Sequence, residues 1–177
     1  MEIYETKPTR NTNQAQMLTR YKAWANKITF KAIATLPEEE TTKERQTNFG
    51  TIIHTLNHVY VVDDIFKAHL EGRKHTYAAR NTETSPPLRK LWEASSAMDR
   101  WYVELADRLT DDEAAESIEF EFVGGGKGVM SRMEIVLHVV NHATYHRGFV
   151  SDMMYQVPAW MPANDLPVFL RDVWNKA

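Results

Sequence analysis

Apolar residues recur at alternating steps of three and four along four stretches of this chain, and polar segments separate them. That period belongs to amphipathic helices that bury one face. The first helix is expected from about Asn13 to Leu36, with Met17, Tyr21, Trp24 and Ile28 on its stripe and Pro37 as its stop. Glu38 to Asn48 is acidic and polar, which predicts a solvated loop. A second helix is expected from Phe49 to Leu70, closed by Gly72. One of its rows is Ile52, Leu56, Val59, Phe66 and Leu70; the neighbouring row is His54, His58, Val62, Ile65 and His69. Gly72 to Pro87, with its Pro86-Pro87 pair, predicts a long crossover loop. Leu88, Leu91, Ser95, Met98, Tyr102, Leu105 and Leu109 make the seam of a third helix that reads as scaffold.

Thr110 to Glu116 reads as another acidic loop. Ile118, Phe120 and Phe122 then alternate with Glu119 and Glu121, the pattern of a half-buried strand. In Gly124-Gly125-Gly126-Lys127-Gly128 a glycine follows the lysine where a phosphate-binding loop needs Ser or Thr, so a hairpin turn is expected. The fourth helix spans Ser131 to Gln156 and opens on a capping box, Ser131 with Glu134. Ile135, Val139, His142, His146, Phe149 and Met153 form its seam, and His138 lies one step off it. Residues 157–162 form an irregular link, and Asp165 to Trp174 a short closing helix with Pro167 in its first turn. These patterns predict an all-α fold over a single domain, residues 1–177. It is an antiparallel-type four-helix bundle with a long crossover between helices two and three, a small β-hairpin before helix four and a short C-terminal helix.

Composition narrows the chemistry. The net charge of −3 supplies no basic field for nucleic acid. No apolar run reaches the roughly 18 residues that a membrane span needs. Met1-Glu2-Ile3-Tyr4-Glu5 lacks the basic and apolar regions of a signal peptide, so a cytoplasmic location is expected. The absence of cysteine removes disulfides, thiolate ligands and a cysteine nucleophile. Any metal must be held by His and carboxylate, and any thiol must come from a cosubstrate.

His142 and His146 occupy seam places that call for Leu or Val. Two imidazoles four apart on one helix face can share a metal ion. They can equally be core histidines hydrogen-bonded to neighbours, since buried polar rings without partners cost about 1–3 kcal/mol each. A third ligand would tip the balance, and His58, flanked by apolar residues, is the best candidate. His54, one turn earlier, suits a supporting place or the mouth of a site. His69 suits the helix end, where a charged imidazole complements the dipole. His75 sits in a basic loop with no assigned role. Asp63 reads as an ion-pair partner between helices.

His138-Val139-Val140-Asn141-His142-Ala143-Thr144-Tyr145-His146-Arg147-Gly148 resembles the helix-four signature of the DinB/YfiT-like family. Thr55-Leu56-Asn57-His58 with Val62-Asp63 is similar to that family's helix-two ligand segment. Tyr21, Trp24, Ala25 and Asn26 resemble its helix-one pattern, and Asp165-Leu166-Pro167-Val168-Phe169-Leu170 its closing segment. The resemblance implies a divalent metal held by His58, His142 and His146, with His54 and His138 outside the ligand set. Zn or Ni suits such a site best, with Fe or Mn next. It also implies a homodimer, for which Trp92, Trp101, Met154 and Trp160 supply apolar material. Characterised relatives are similar to metal-dependent S-transferases and isomerases that use low-molecular-weight thiols such as mycothiol or bacillithiol. A small-molecule substrate, with such a thiol as partner, is therefore expected. The alternatives are a metal-dependent hydrolase and a non-catalytic, stress-linked metal-binding module. No general base is evident beyond His54, His138 and Tyr145. The chain departs from the pattern at Tyr145, Phe149 and Phe66, where relatives often carry His, Gln and Trp.

Overall fold

The structure, a computed structural model, describes residues 11–157 and 159–176. Residues 1–10, on which the expectation about a signal peptide rests, lie outside these, as does Pro158 in the link. Four long helices carry the fold: α1 (Asn11–Ile33), α3 (Ile52–Leu70), α4 (Leu88–Arg108) and α6 (Arg132–Tyr155). Two short helices, α2 (Glu38–Thr42) and α5 (Asp111–Ala115), and a hairpin, β1 (Ser117–Glu121) with β2 (Lys127–Ser131), fill the connections. α7 (Leu166–Asp172) and a 3-10 turn (Trp174–Lys176) close the described chain.

Helix α1 packs beside α4 and α6, and α3 beside the same two. Arg20 meets Asp107, Asn26 meets Asp99 and Phe30 meets Trp92, so α1 and α4 run antiparallel. His58 meets His142 while Phe66 meets His138, so α3 and α6 also run antiparallel. Ala15 clusters with Met133 and Phe30 with Val150, so α1 and α6 run parallel. Helices α3 and α4 therefore point the same way. Their connection must return along the bundle, which is the physical reason for the long crossover. That return carries the loop across the middle of α3.

Capping explains the helix boundaries. The Ser131 hydroxyl accepts the Glu134 amide at 3.1 Å, and the Glu134 carboxylate accepts the Ser131 amide at 2.6 Å. Helix α3 starts at Ile52 rather than Phe49, because Thr51 is extended and its hydroxyl accepts the His54 amide at 3.0 Å. Phe49 is left outside the helix. The acidic stretch 110–116 contains α5 instead of loop, since Thr110 and Glu113 close a second capping box. Likewise 38–48 begins with α2, whose first turn is Glu38, Glu39 and Glu40, suited to a helix N-terminus. In the hairpin Phe120 pairs with Gly128, where a Cβ would lie 2.6 Å from the Phe120 ring. The strand stops at Glu121, because the Phe122 amide bonds to the Gly126 carbonyl and closes the turn; Phe122 is exposed rather than half-buried.

One polar cluster crosses the apolar core. Lys22 on α1 lies 2.7 Å from Asp63 and 2.6 Å from Asp99, and all three are buried. Asn26 donates to both Asp99 oxygens. Burial alone would lower the Lys22 pKa; the two carboxylates outweigh it and hold the ammonium above its ordinary value. Burial pushes Asp63 up to about 6 against the pull of Lys22. The pairing expected of Asp63 is therefore present. Lys22 and Asp99 were not legible as its partners, because a lysine and an aspartate each read as surface residues in a helical pattern.

Candidate metal centre

Helices α3 and α6 bring His58, His142 and His146 together, with one ring nitrogen from each lying within 4.8 Å of the others. His142 and His146 project side by side because they are one turn apart, with ring centroids 4.4 Å apart. His58 approaches from α3, its Nε2 3.1 Å from His142 Nε2. Among the described residues no other group of three or more His or carboxylate side chains converges in this way.

The tautomer of His58 is fixed by its surroundings. Its Nδ1 lies 2.6 Å from the Arg80 carbonyl, which can only accept, so Nδ1 carries the proton and Nε2 presents a lone pair. The crossover loop supplies that carbonyl. It is held on α3 by Asn57, which donates to Asn81 and Thr82, and by Asn81, which donates to the His54 carbonyl at 3.0 Å. Nothing in the sequence pointed to Arg80, since the partner is a backbone oxygen.

All three imidazoles are held neutral. Burial, followed by the charges of His146 and His58, lowers His142 to about 2; burial and then His58 lower His146 to about 4. Burial also lowers His58. Nδ1 of His142 and of His146 are buried with no protein hydrogen-bond partner. A neutral, all-nitrogen donor set with converging nitrogens suits a divalent cation. Two nitrogens bound at about 2.0–2.1 Å to one ion lie roughly 3.0–3.4 Å apart, and the His58–His142 contact falls in that range.

Aromatic rings close one side. Phe49 lies tilted at 4.6 Å from His58 and meets His146 edge-on at 4.9 Å. Phe149 lies 5.9 Å from His146, and Tyr145, 65% exposed, meets it edge-on at 5.1 Å. Sequence reading placed Phe49 inside a helix and missed it as a site residue. The other side is open: a cavity of about 160 Å³ is lined by His58, His142, His138, Phe66 and Phe120, among others. His138 stacks on His142 at 5.6 Å but is outside the converging set. His54 is also outside it, with Nδ1 3.2 Å from the Ser85 hydroxyl.

A helical bundle with three neutral histidines at its centre and a cavity beside them defines the class. The sequence model of the DinB family matches residues 9–173, and the chain belongs to that family. It is 28% identical over 160 residues to Protein DinB of Bacillus subtilis, across 86% of this chain and 91% of that protein. Among solved structures it is similar to a DinB-like protein from Bacillus cereus, with a TM-score of 0.63 at 16% identity over 82% of this chain and 94% of that one. The latter likeness bears on the fold.

Proposed function

We propose that His58, His142 and His146 bind one divalent metal ion, Zn or Ni in preference to Fe or Mn, and that the protein is a metal-dependent enzyme acting on a small molecule. The observation that carries this reading is the cavity beside the histidines. A purely structural site closes its coordination with protein ligands, whereas a catalytic one keeps a position open. Here two of the three, His58 and His142, line a chamber of about 160 Å³, and His146 lies beside them.

The reaction class we favour is thiol-dependent S-transfer or isomerisation. A divalent ion held here would supply Lewis acidity that lowers the pKa of an incoming thiol. The chain has no cysteine, so the thiol is a separate small molecule. His58 is oriented by the Arg80 carbonyl, and the Phe49 ring packs against it on the side away from the cavity. Of the three candidate bases only His138 lines the cavity; burial lowers its pKa, so it is neutral at pH 7 and can accept a proton. Tyr145 is largely exposed and His54 faces Ser85.

Metal analysis of the purified chain tests the first claim. About one ion per chain is expected in the wild type and in His138→Ala, and His142→Ala should lose more than about 100-fold in affinity. That exceeds the roughly 10–100-fold typical of losing an outer partner. Equal metal content in all three proteins would show that the ligands are misassigned. A transfer assay with several low-molecular-weight thiols, run on wild type and His138→Ala, tests the second. We further propose a cytoplasmic homodimer. Among the described residues no helix is long and apolar enough to cross a membrane.

A further inference from the structure

The chamber beside the histidines has two kinds of wall. Val62, Ile65 and Phe66 of α3 and Phe120 and Phe122 of the hairpin are apolar; His58 and His142 border the candidate metal, and His69, Arg80, Glu121 and His138 complete the lining. Its volume is about 160 Å³. A cavity of about 150 Å³ lined by aliphatic and aromatic side chains takes up one benzene molecule. Next to it lies a second cavity of about 540 Å³, and His69, Glu121, Phe122 and Val123 line both. The outer cavity is polar, with Lys74, His75, Tyr77 and Glu119 on its walls. Phe122 stands at the junction and is 52% exposed, unusual for an apolar side chain in a turn closed by glycines.

We infer that the inner chamber is a specificity pocket for an aryl or short branched-alkyl group. The ligand it fits has a metal-binding head beside His58 and His142, an apolar body of about benzene size between Phe66, Ile65 and Phe120, and any polar remainder in the outer cavity. This names a substrate class for the proposed site and rests on the metal reading, though not on the thiol chemistry. The candidate metal sets the orientation: the metal-binding head enters towards His58 and His142, and any polar remainder lies towards His69 and Glu121, which line both cavities.

The test uses the full chain loaded with cobalt(II), whose visible absorption reports a change in ligation. Acetohydroxamate and benzohydroxamate share a chelating head and differ in the apolar group. Benzohydroxamate should bind at least about tenfold more tightly, in line with the apolar area that it buries. Ile65→Phe, which fills the chamber, should abolish that preference and leave cobalt content and acetohydroxamate affinity unchanged. Phe122→Ala, at an exposed position that the fold does not need, should reduce the preference severalfold. Equal affinity for the two hydroxamates in the wild type, or a preference that survives both variants, would overturn the pocket. A second arm needs no metal: fluorobenzene followed by fluorine NMR should bind the cobalt-free wild type and not Ile65→Phe. If cobalt fails to bind while fluorobenzene binds, the metal reading falls and the pocket stands. If cobalt binds and fluorobenzene does not, the pocket falls and the metal reading stands.

Discussion

The three histidines are kept neutral in two different ways. His58 has its proton fixed on Nδ1 by the Arg80 carbonyl, so its other nitrogen is always the free one. Among the described residues His142 and His146 have no such partner; burial keeps both neutral, helped at His142 by the charges of His146 and His58 and at His146 by that of His58. The sign of the resulting pH dependence follows. In the unfolded chain each imidazole takes up a proton near pH 6.5. In the metal-free folded protein His146 does so only at about 4 and His142 at about 2. The unfolded state therefore binds more protons as pH falls below 6.5. The stability contributed by these groups is complete above that pH and is lost progressively on acidification towards pH 4 and below. Urea denaturation of the metal-free protein at pH 7.5, 6 and 5 should give a falling midpoint, and His146→Phe should flatten the fall. Asp63, pushed up to about 6, works in the opposite direction over the same range, so the comparison with the variant decides: a pH dependence unchanged by His146→Phe would contradict the depressed pKa values. The same neutrality keeps the ligands available in weak acid, so metal release in the loaded protein should occur below pH 6.5 rather than around it.

Among the elements, α1, α3 and α4 are joined by the Lys22, Asp63 and Asp99 cluster. Two carboxylates share one ammonium, and Asp63 Oδ1 has no protein partner. Lys22→Met would leave both carboxylates buried without a counter-charge. It should cost about 3–5 kcal/mol, read as a lowered urea midpoint. A change under about 1 kcal/mol would mean that the carboxylates reach solvent. This cluster also marks the limit of the sequence reading. The four long helices were legible because each buries a stripe at a regular period, and Ser131 with Glu134 located the start of α6 to the residue. The two clustered histidines of α6 were legible because they interrupt an apolar seam. Helices α2 and α5 were not, because short helices made of acidic residues have no apolar stripe; the Thr110 and Glu113 box was the one signal available for α5. Phe49 was misplaced because an apolar residue one turn before a helix extends the apparent period. Its place over His58 and His146 depends on Thr51 ending the helix first. Gly128 is the remaining element-level constraint. Gly128→Val would drive a side chain into Phe120, which lines the cavity, and should cost about 1–3 kcal/mol while altering ligand binding there.

At the scale of the whole molecule, the helix order leaves one face of α6 without a partner among the described residues. Leu137, Asn141, Tyr145, Gly148, Asp152 and Tyr155 all point to solvent, while the opposite rows are buried by α1 and α3. Trp160, 74% exposed, meets Tyr155 edge-on at 5.6 Å and extends that face beyond the helix end. The aromatic material that suggested pairing in the sequence is mostly used internally. Met154 is in the core, Trp92 packs on Phe30 and Trp101 on Tyr102. Only Trp160 of that set remains available, and Tyr145 and Tyr155 join it. Exposed aromatics grouped on one helix face suit an isologous contact, in which each residue of one copy meets the same patch on the other. Gly148 on that face has open space around its Cβ position and lets a second helix approach closely. The expected outcome is a dimer in sedimentation at micromolar concentration. Trp160→Glu should weaken it by roughly 30-fold or more, because hot-spot aromatics at interface centres carry that much of the binding and both copies would bring a charge to the contact. Trp92→Phe, at a position packed on Phe30, should leave the association unchanged. A wild-type protein that sediments as a monomer would show that the exposed α6 face does not pair.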